Sequence, residues 1–503
     1  MPPFCIFSTN QDTTMIAPRP GTSPSAIFQK LLVLLMLVLI GSGSGCTGSA
    51  GLVHVPDKGA YSARPKYIFL FIGDGMGLAQ VKLSDGVLDP DKGLAMGGLP
   101  VTGITATHAE NRYITDSGAA GTALSTGFKT SIGTISMRSN HRDTLRTVAE
   151  MAKQKGMRVG ILSSVGIDNA TPACFYAHNA GRGNYHDIAV QMATSGFDYF
   201  GGGYAEGDFL HNRLRGGAAK PDIPSVMKAA GYRVTTGRDE LLSVLPGTPC
   251  WAYTGFDGKA AMSYAMDRRK EDLSLAEFTR QGIRLLDNPA GFFMMVEGGK
   301  IDWACHANDA AAAAHDVAAF DEAIAEAVAF YRVHPSETLI VVTADHECGG
   351  LSLGNASQGY ESRLQLLRRQ KVSRQRFSEM VASWTKTRSV SFAMALDSVK
   401  VYYGLGDAAP DSALAISVQE RKMLRGAYPA TPEDSGPGAE RFASAVTGML
   451  NARAGIGWTS NAHTAVPVPV FAAGAGAEAF GGSYDNTGIA EKIMRLARFG
   501  GRP

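Results

Sequence analysis

TLIVVTADH, residues 338–346, is a continuous apolar and β-branched run that breaks at an acid and a histidine. A run with no polar alternation reads as a strand buried on both faces, the kind that parallel sheets contain. Four other runs read the same way: KYIFLFIG (66–73), RVGILSS (158–164), GFFMMVEG (291–298) and VPVPVFAAG (466–474). Between them lie alanine-rich stretches such as DAAAAAHDVAAFDEAIAEAVAFYR (309–332), where small residues and spaced Val, Phe and Ile predict a helix packed closely on a sheet. Strand alternating with helix gives an α/β fold with a central, mostly parallel sheet flanked by helices.

In such sheets ligands bind beyond the carboxyl ends of the strands. The polar residues follow that rule. Asp74 follows the first run inside IGDGMG, Glu297 closes GFFMMVEG, and Asp345 with His346 closes TLIVVTADH. One acid in a glycine-flanked turn is most often a cap. Several, delivered by independent buried strands, would repel one another in a desolvated cleft unless cations offset them, so the set predicts a multi-metal site.

Further donors stand nearby. In VEGGKIDWACH (296–306), Asp302 and His306 are four residues apart and share a helix face. His463 lies in SNAHTAVPVPV, just ahead of the last apolar run. Carboxylate with imidazole suits zinc, and an all-oxygen set suits magnesium. In YITDSGAAGTALSTG (113–127), Ser117 opens a small-residue helix whose N-terminus would favour an anion. NATPACFYAHNAGR (169–182) sets Thr171 near a strand end and Arg182 eleven residues on, with a planar fork suited to phosphate oxygens.

Composition limits the remaining choices. A chain of 503 residues with a formal charge of +2 can hold one large α/β domain and carries no electrostatic demand for nucleic acid. Its six cysteines, Cys5, Cys46, Cys174, Cys250, Cys305 and Cys348, are too few for a disulfide scaffold. LLVLLMLVLI (31–40) after Lys30, then GSGSGC ending in Cys46, is a signal-peptide layout too short to span a bilayer. The small residues before Cys46 are similar to a bacterial lipoprotein box, although Gly43 stands where Leu is usual. The expectation is an exported chain, periplasmic or at the cell surface, with lipidation of Cys46 and plain secretion both open. Residues 1–45 then form the signal peptide, 46–65 a tether, and 66–503 the catalytic domain.

Together, GDGMG, TDSGAAGTALSTG, the ATPA to Arg182 spacing, EGGKIDWACH, TADH and the final HT segment resemble the alkaline phosphatase family, in order and over most of the chain. The resemblance implies a nucleophile at Ser117 and a phosphate clamp at Arg182. It implies a first zinc held by Asp302, His306 and His463, and a second held by Asp74, Asp345 and His346 beside the Ser117 oxygen. Magnesium would be held by Asp74, Thr171 and Glu297. The substrates implied are small-molecule phosphate monoesters, with a homodimer by family analogy. Two positions depart from the pattern: Asn169 stands where relatives carry Asp or His, which predicts a weakened magnesium site, and Trp303 replaces a lysine or histidine.

Residues 361–440 leave the strand pattern and read as a partly helical insertion, opening with the basic stretch 363–388, for which a solvated helix face is the expectation. His178, His186 and His315 are assigned to packing or surface, and pairing of Cys305 with Cys348 stays open. The rival readings are a phosphodiesterase or sulfatase of the same superfamily and a catalytically silent phosphate-binding lipoprotein. The sequence lacks the C/S-x-P-x-R segment of sulfatases, and TDSGAAG does not offer the threonine typical of diesterases.

Overall fold

All six residues of Tyr67–Ile72, the strand β1, are buried, as an unalternating apolar run requires. The computed structural model describes residues 64–88, 93–208, 220–254, 260–406 and 412–500. The expected signal peptide, Cys46 and the tether as far as residue 63 lie outside them.

After β1 come β2 (Val101–Ala106), β3 (Arg158–Ser163), β4 (Tyr199–Gly202), β5 (Arg233–Thr235), β6 (Cys250–Tyr253), β7 (Phe292–Glu297) and β8 (Thr338–Thr343). Four short strands follow, β9 (Glu347–Cys348), β10 (Leu351–Ser352), β11 (Gly457–Trp458) and β12 (His463–Thr464), then β13 (Val468–Gly474) and β14 (Gly482–Asp485). Ten of them make one sheet in the order β14-β2-β13-β8-β1-β7-β3-β4-β6-β5, while β10 pairs with β11 and β12 with β9. The sheet is parallel except at β13, which runs antiparallel to both β8 and β2.

That exception corrects the reading of VPVPVFAAG as a parallel strand. It also explains how His463 reaches the site. An antiparallel strand begins at the edge where its neighbours end, so a residue just ahead of β13 arrives at the carboxyl edge. Nor is this run the last strand, because β14 follows it.

The helices that matter for the site are α1 (Ser117–Thr126), α2 (Ala170–Tyr176), α3 (Lys300–His306), α4 (Ala310–Val333), α5 (Arg374–Thr387) and α6 (Ser435–Ala454). Every residue of α1 is buried, and a Cβ added at Gly121 would lie 3.1 Å from Cys174 Sγ on α2. Its small residues therefore let two helices touch under the site. Helix α4 is the alanine-rich segment, capped by Asp309, whose carboxylate accepts from Ala312 N–H at 3.1 Å.

The basic stretch 363–388 is two pieces. A 3-10 turn at Leu364–Arg369 stops before Ser373, which caps α5 and donates to the Asp267 carboxylate. Leu366, Leu367, Phe377 and Val381 are buried, with Phe377 stacked on Phe442 of α6 at 6.1 Å. The stretch packs into the domain instead of presenting only a solvated face, because its apolar residues fall on one side of each turn.

Candidate active site and metal centre

Register brings the acids together. Ile72 of β1 pairs with Thr343 of β8 on one side and Glu297 of β7 on the other, so Asp74 and Asp345 emerge at matching depth beside Glu297. All three are buried. Burial, reinforced by Asp345 and Asp302, pushes the Asp74 carboxyl well above its usual range. Burial likewise lifts Glu297 to about 8. Asp345 rises to about 7 through burial and then the charge of Asp302.

Helix α3 presents Asp302 and His306 one turn apart, with His306 Nε2 3.2 Å from Asp302 Oδ2. His463 arrives on β12, which pairs His463 with Cys348 of β9. Its Nε2 lies 3.6 Å from Asp302 Oδ1 and 3.1 Å from His306 Nε2. The two rings are oriented by backbone carbonyls: His306 Nδ1 meets Asn461 O at 2.7 Å and His463 Nδ1 meets Thr115 O at 3.0 Å. A proton on each Nδ1 would leave both Nε2 atoms available to a cation; without one, His306 Nε2 carries the proton that bonds Asp302. Burial opposes ionisation of Asp302, yet the hydrogen bond with His306 and the neighbouring imidazoles hold its carboxyl well below the usual range. The same bond raises His306 to about 9. Burial lowers His346 and His463 to about 4 each.

His346 Nε2 is the second focus, 3.2 Å from Asp345 Oδ2, 3.4 Å from Asp74 Oδ1 and 3.4 Å from Ser117 Oγ. Asp74 Oδ1, Thr171 Oγ1, Glu297 Oε1, Asp302 Oδ1 and Asp345 Oδ2 are buried with no hydrogen-bond partner. Stranded acceptors of this kind are costly unless cations meet them, so the donor set fits divalent metals. Donor atoms of Asp302, His306, Cys348 and His463 lie within 4.8 Å of one another, as do those of Asp74, Asp302 and His346.

Two differences from the sequence reading stand out. Asp302 faces both groups, whereas Asp345 joins the second through His346. Cys348 sits at the first group unforeseen. Alternation along a strand was the available signal, since a residue two after His346 returns to the same face. Cys305 and Cys348 are free thiols. Ser163, also unforeseen, ends β3 and donates its hydroxyl to Glu297.

Ser117 is the first residue of α1. Asp116 before it caps the helix, accepting from Ala119 N–H at 3.0 Å and Gly133 N–H at 3.0 Å. Arg182 Nη1 donates to the same carboxylate at 3.0 Å, and Arg182 Nη2 lies 3.4 Å from Asn169 Oδ1. Asn169 also accepts from Ala170 N–H at 2.7 Å, so its oxygen is already used on the helix start and the guanidinium. His178 bridges Ser136 O and Glu150, and His186 meets Pro221 O, consistent with packing roles.

The alkaline phosphatase family model matches residues 65–499. The chain belongs to the alkaline phosphatase family. It is 31% identical over 452 residues to alkaline phosphatase 4 of Bacillus subtilis (strain 168), covering 87% of this chain and 90% of that one. A cold-active alkaline phosphatase from a psychrophilic Shewanella sp. superposes with a TM-score of 0.73 at 31% identity, over 86% of this chain and 99% of that one. The Thermus thermophilus alkaline phosphatase gives 0.73 at 26% identity, over 92% and 96%. This alkaline phosphatase is therefore a metal-dependent phosphatase with the family's parallel sheet.

Proposed function

We propose that this alkaline phosphatase hydrolyses phosphate monoesters through a phosphoserine on Ser117. The observation that carries the reading is the position of the Ser117 hydroxyl, buried at a helix start, 3.4 Å from His346 Nε2 and next to the cap that holds Arg182. Asp302, His306 and His463 would hold one zinc, Asp74, Asp345 and His346 a second, and Asp74, Thr171 and Glu297 a magnesium ion. Bound metals supply Lewis acidity toward phosphoryl oxygens and make an oxygen nucleophile available near neutral pH.

Arg182 spans two non-bridging oxygens with its planar fork and holds the phosphoryl group in line with Ser117. The Ser117 oxygen forms a bond to phosphorus as the bond to the alcohol oxygen breaks; the Ser117 proton passes to solvent and the departing oxygen takes one up from solvent, leaving as the alcohol. Water then attacks phosphorus from the side the alcohol vacated, the bond to Ser117 breaks, and two in-line displacements give net retention. The α1 N-terminus, with its free N–H groups, favours the anion at each stage. Export, either with Cys46 as a lipid anchor or by plain secretion, rests on the signal-peptide layout and belongs to the same proposal.

The test is turnover of p-nitrophenyl phosphate against bis-p-nitrophenyl phosphate by metal-loaded protein, with Ser117→Ala as control and acid trapping of labelled phosphate. Monoester turnover lost in Ser117→Ala, together with label on Ser117, is expected. Preferred diester cleavage would shift the assignment to a phosphodiesterase, and phosphate binding without turnover to a silent binder.

A further inference from the structure

Asn308 holds a left-handed backbone, φ +49°, just past the helix α3 that carries Asp302 and His306. Few residues other than glycine adopt that region, and asparagine is among those that do. The turn closes α3: Asn308 N–H donates back to Cys305 O at 2.8 Å, and Asp309 N–H to Ala304 O at 2.9 Å. The Asn308 side chain then spans two elements. Its Nδ2 donates to Cys305 O, on α3, at 2.9 Å and to Ser460 O, on the segment that leads into His463, at 2.9 Å. An amide nitrogen carries two N–H groups, and here each serves a different element.

That contact is one of two rungs between α3 and the segment. The other is His306 Nδ1 to Asn461 O at 2.7 Å, one residue further along. A single rung is a pivot about which His463 could swing away from Asp302; a second, from a different residue, removes that freedom. The segment is itself held to the loop after His346, because Ser460 N–H donates to Gly349 O at 3.0 Å and Gly349 N–H to Ala462 O at 2.9 Å. On its other side, the buried Asn451 of α6 donates Nδ2 to Asn308 O at 2.7 Å.

Resting on the metal reading proposed above, we infer that Asn308 is a positioning residue for the first metal group. Its amide sets the spacing between α3, with Asp302 and His306, and the segment that brings His463, while α6 holds the amide in place. The separations it governs are the 3.1 Å between His306 Nε2 and His463 Nε2 and the 3.6 Å from His463 Nε2 to Asp302 Oδ1. Asp74, Asp345 and His346 of the second group follow β1 and β8 and are placed by the register of the sheet.

Two substitutions test the role. Asn308→Gly keeps the left-handed backbone and deletes the amide; Asn308→Asp keeps the shape and turns acceptor oxygens on two carbonyls. Zinc is titrated against a chromogenic chelator, with thermal unfolding of the chelated protein to confirm that each variant is folded. In either folded variant one zinc should bind roughly tenfold more weakly, the effect of disturbing the support of a metal ligand, and the other should be unchanged. The visible spectrum of cobalt-substituted protein should change for the weakened ion alone, and excess zinc should restore monoester turnover in Asn308→Gly. Unchanged zinc affinities, whatever the melting temperature, or equal weakening of both ions overturn the role and leave the metal reading intact. Wild-type protein that binds no zinc overturns both.

Discussion

Arg182 and Asp116 are joined at 3.0 Å, and the same carboxylate caps the helix that opens with Ser117. One acid thus fixes both the Arg182 guanidinium and the helix start that carries Ser117. Burial works against ionisation of Asp116, but Arg182 and two backbone N–H groups hold its carboxyl below the usual range. Asp116→Ala should cost about 0.5–2 kcal/mol of stability through the lost cap. It should also free Arg182, raising KM and the inhibition constant for phosphate by roughly tenfold, the scale of one charge-assisted hydrogen bond. Thermal unfolding and inhibition kinetics read the two effects separately.

Metal removal should make stability strongly pH-dependent. Asp345 at about 7, Glu297 at about 8 and His306 at about 9 hold protons in the metal-free fold that the unfolded chain releases at lower pH. Where the folded state binds more protons, stability falls as pH rises. Asp345 acts in that direction up to about pH 7, Glu297 up to about pH 8 and His306 from about pH 6.5 to 9. Below pH 6.5, His346 and His463, lowered to about 4, act the other way and stabilise as pH rises from 4, opposing the acids. Chelated protein should therefore melt at a lower temperature at pH 9 than at pH 6.5, and zinc with magnesium should remove most of that slope. A flat profile without metal would contradict the site.

Gly75 has φ +70°, and a Cβ there would lie 2.9 Å from Asp302 Oδ1 and 2.9 Å from Cys348 Cβ. Gly75→Ala is strained in its backbone and pushes on Asp302. Zinc affinity should drop by roughly 10- to 100-fold, the range seen when the supports of a metal ligand are disturbed. Competition with a chromogenic chelator measures it.

Asn169→Asp places a charge beside Thr171 and, at the same time, within reach of Arg182. Magnesium affinity should rise by about tenfold or more as the stranded Thr171 and Glu297 oxygens gain an anionic neighbour. The new carboxylate should also draw the guanidinium aside, so phosphate should bind several-fold more weakly. Magnesium titration of activity, followed by phosphate inhibition at saturating magnesium, separates these outcomes.

The buried central strands were legible because β1, β7 and β8 are apolar without interruption, and a residue buried on both faces leaves no other choice of side chain. The acids at their ends were legible for the same reason: a charged residue that breaks such a run stands out. Strands β4, β5 and β6 gave little signal, being only three or four residues long, with glycines in β4 and a charge opening β5. The reversed direction of β13 was hidden because a buried strand has the same composition whichever way it runs. Cys348 had only the weak local signal of standing two residues after His346; its pairing with His463, a contact across the whole insertion, carries no sequence signature. The burial of Phe377 and Val381 could not be separated from their basic neighbours until α6 was seen to cover them.

Because β13 enters from the carboxyl edge, the first metal group joins a residue near the C-terminus of the domain, His463, to Asp302 and His306 far upstream. A chain made and threaded from its N-terminus reaches that arrangement only when its final strands have docked. The group is therefore complete only in a chain whose C-terminal strands have docked, since without β12 and β13 it lacks the His463 imidazole.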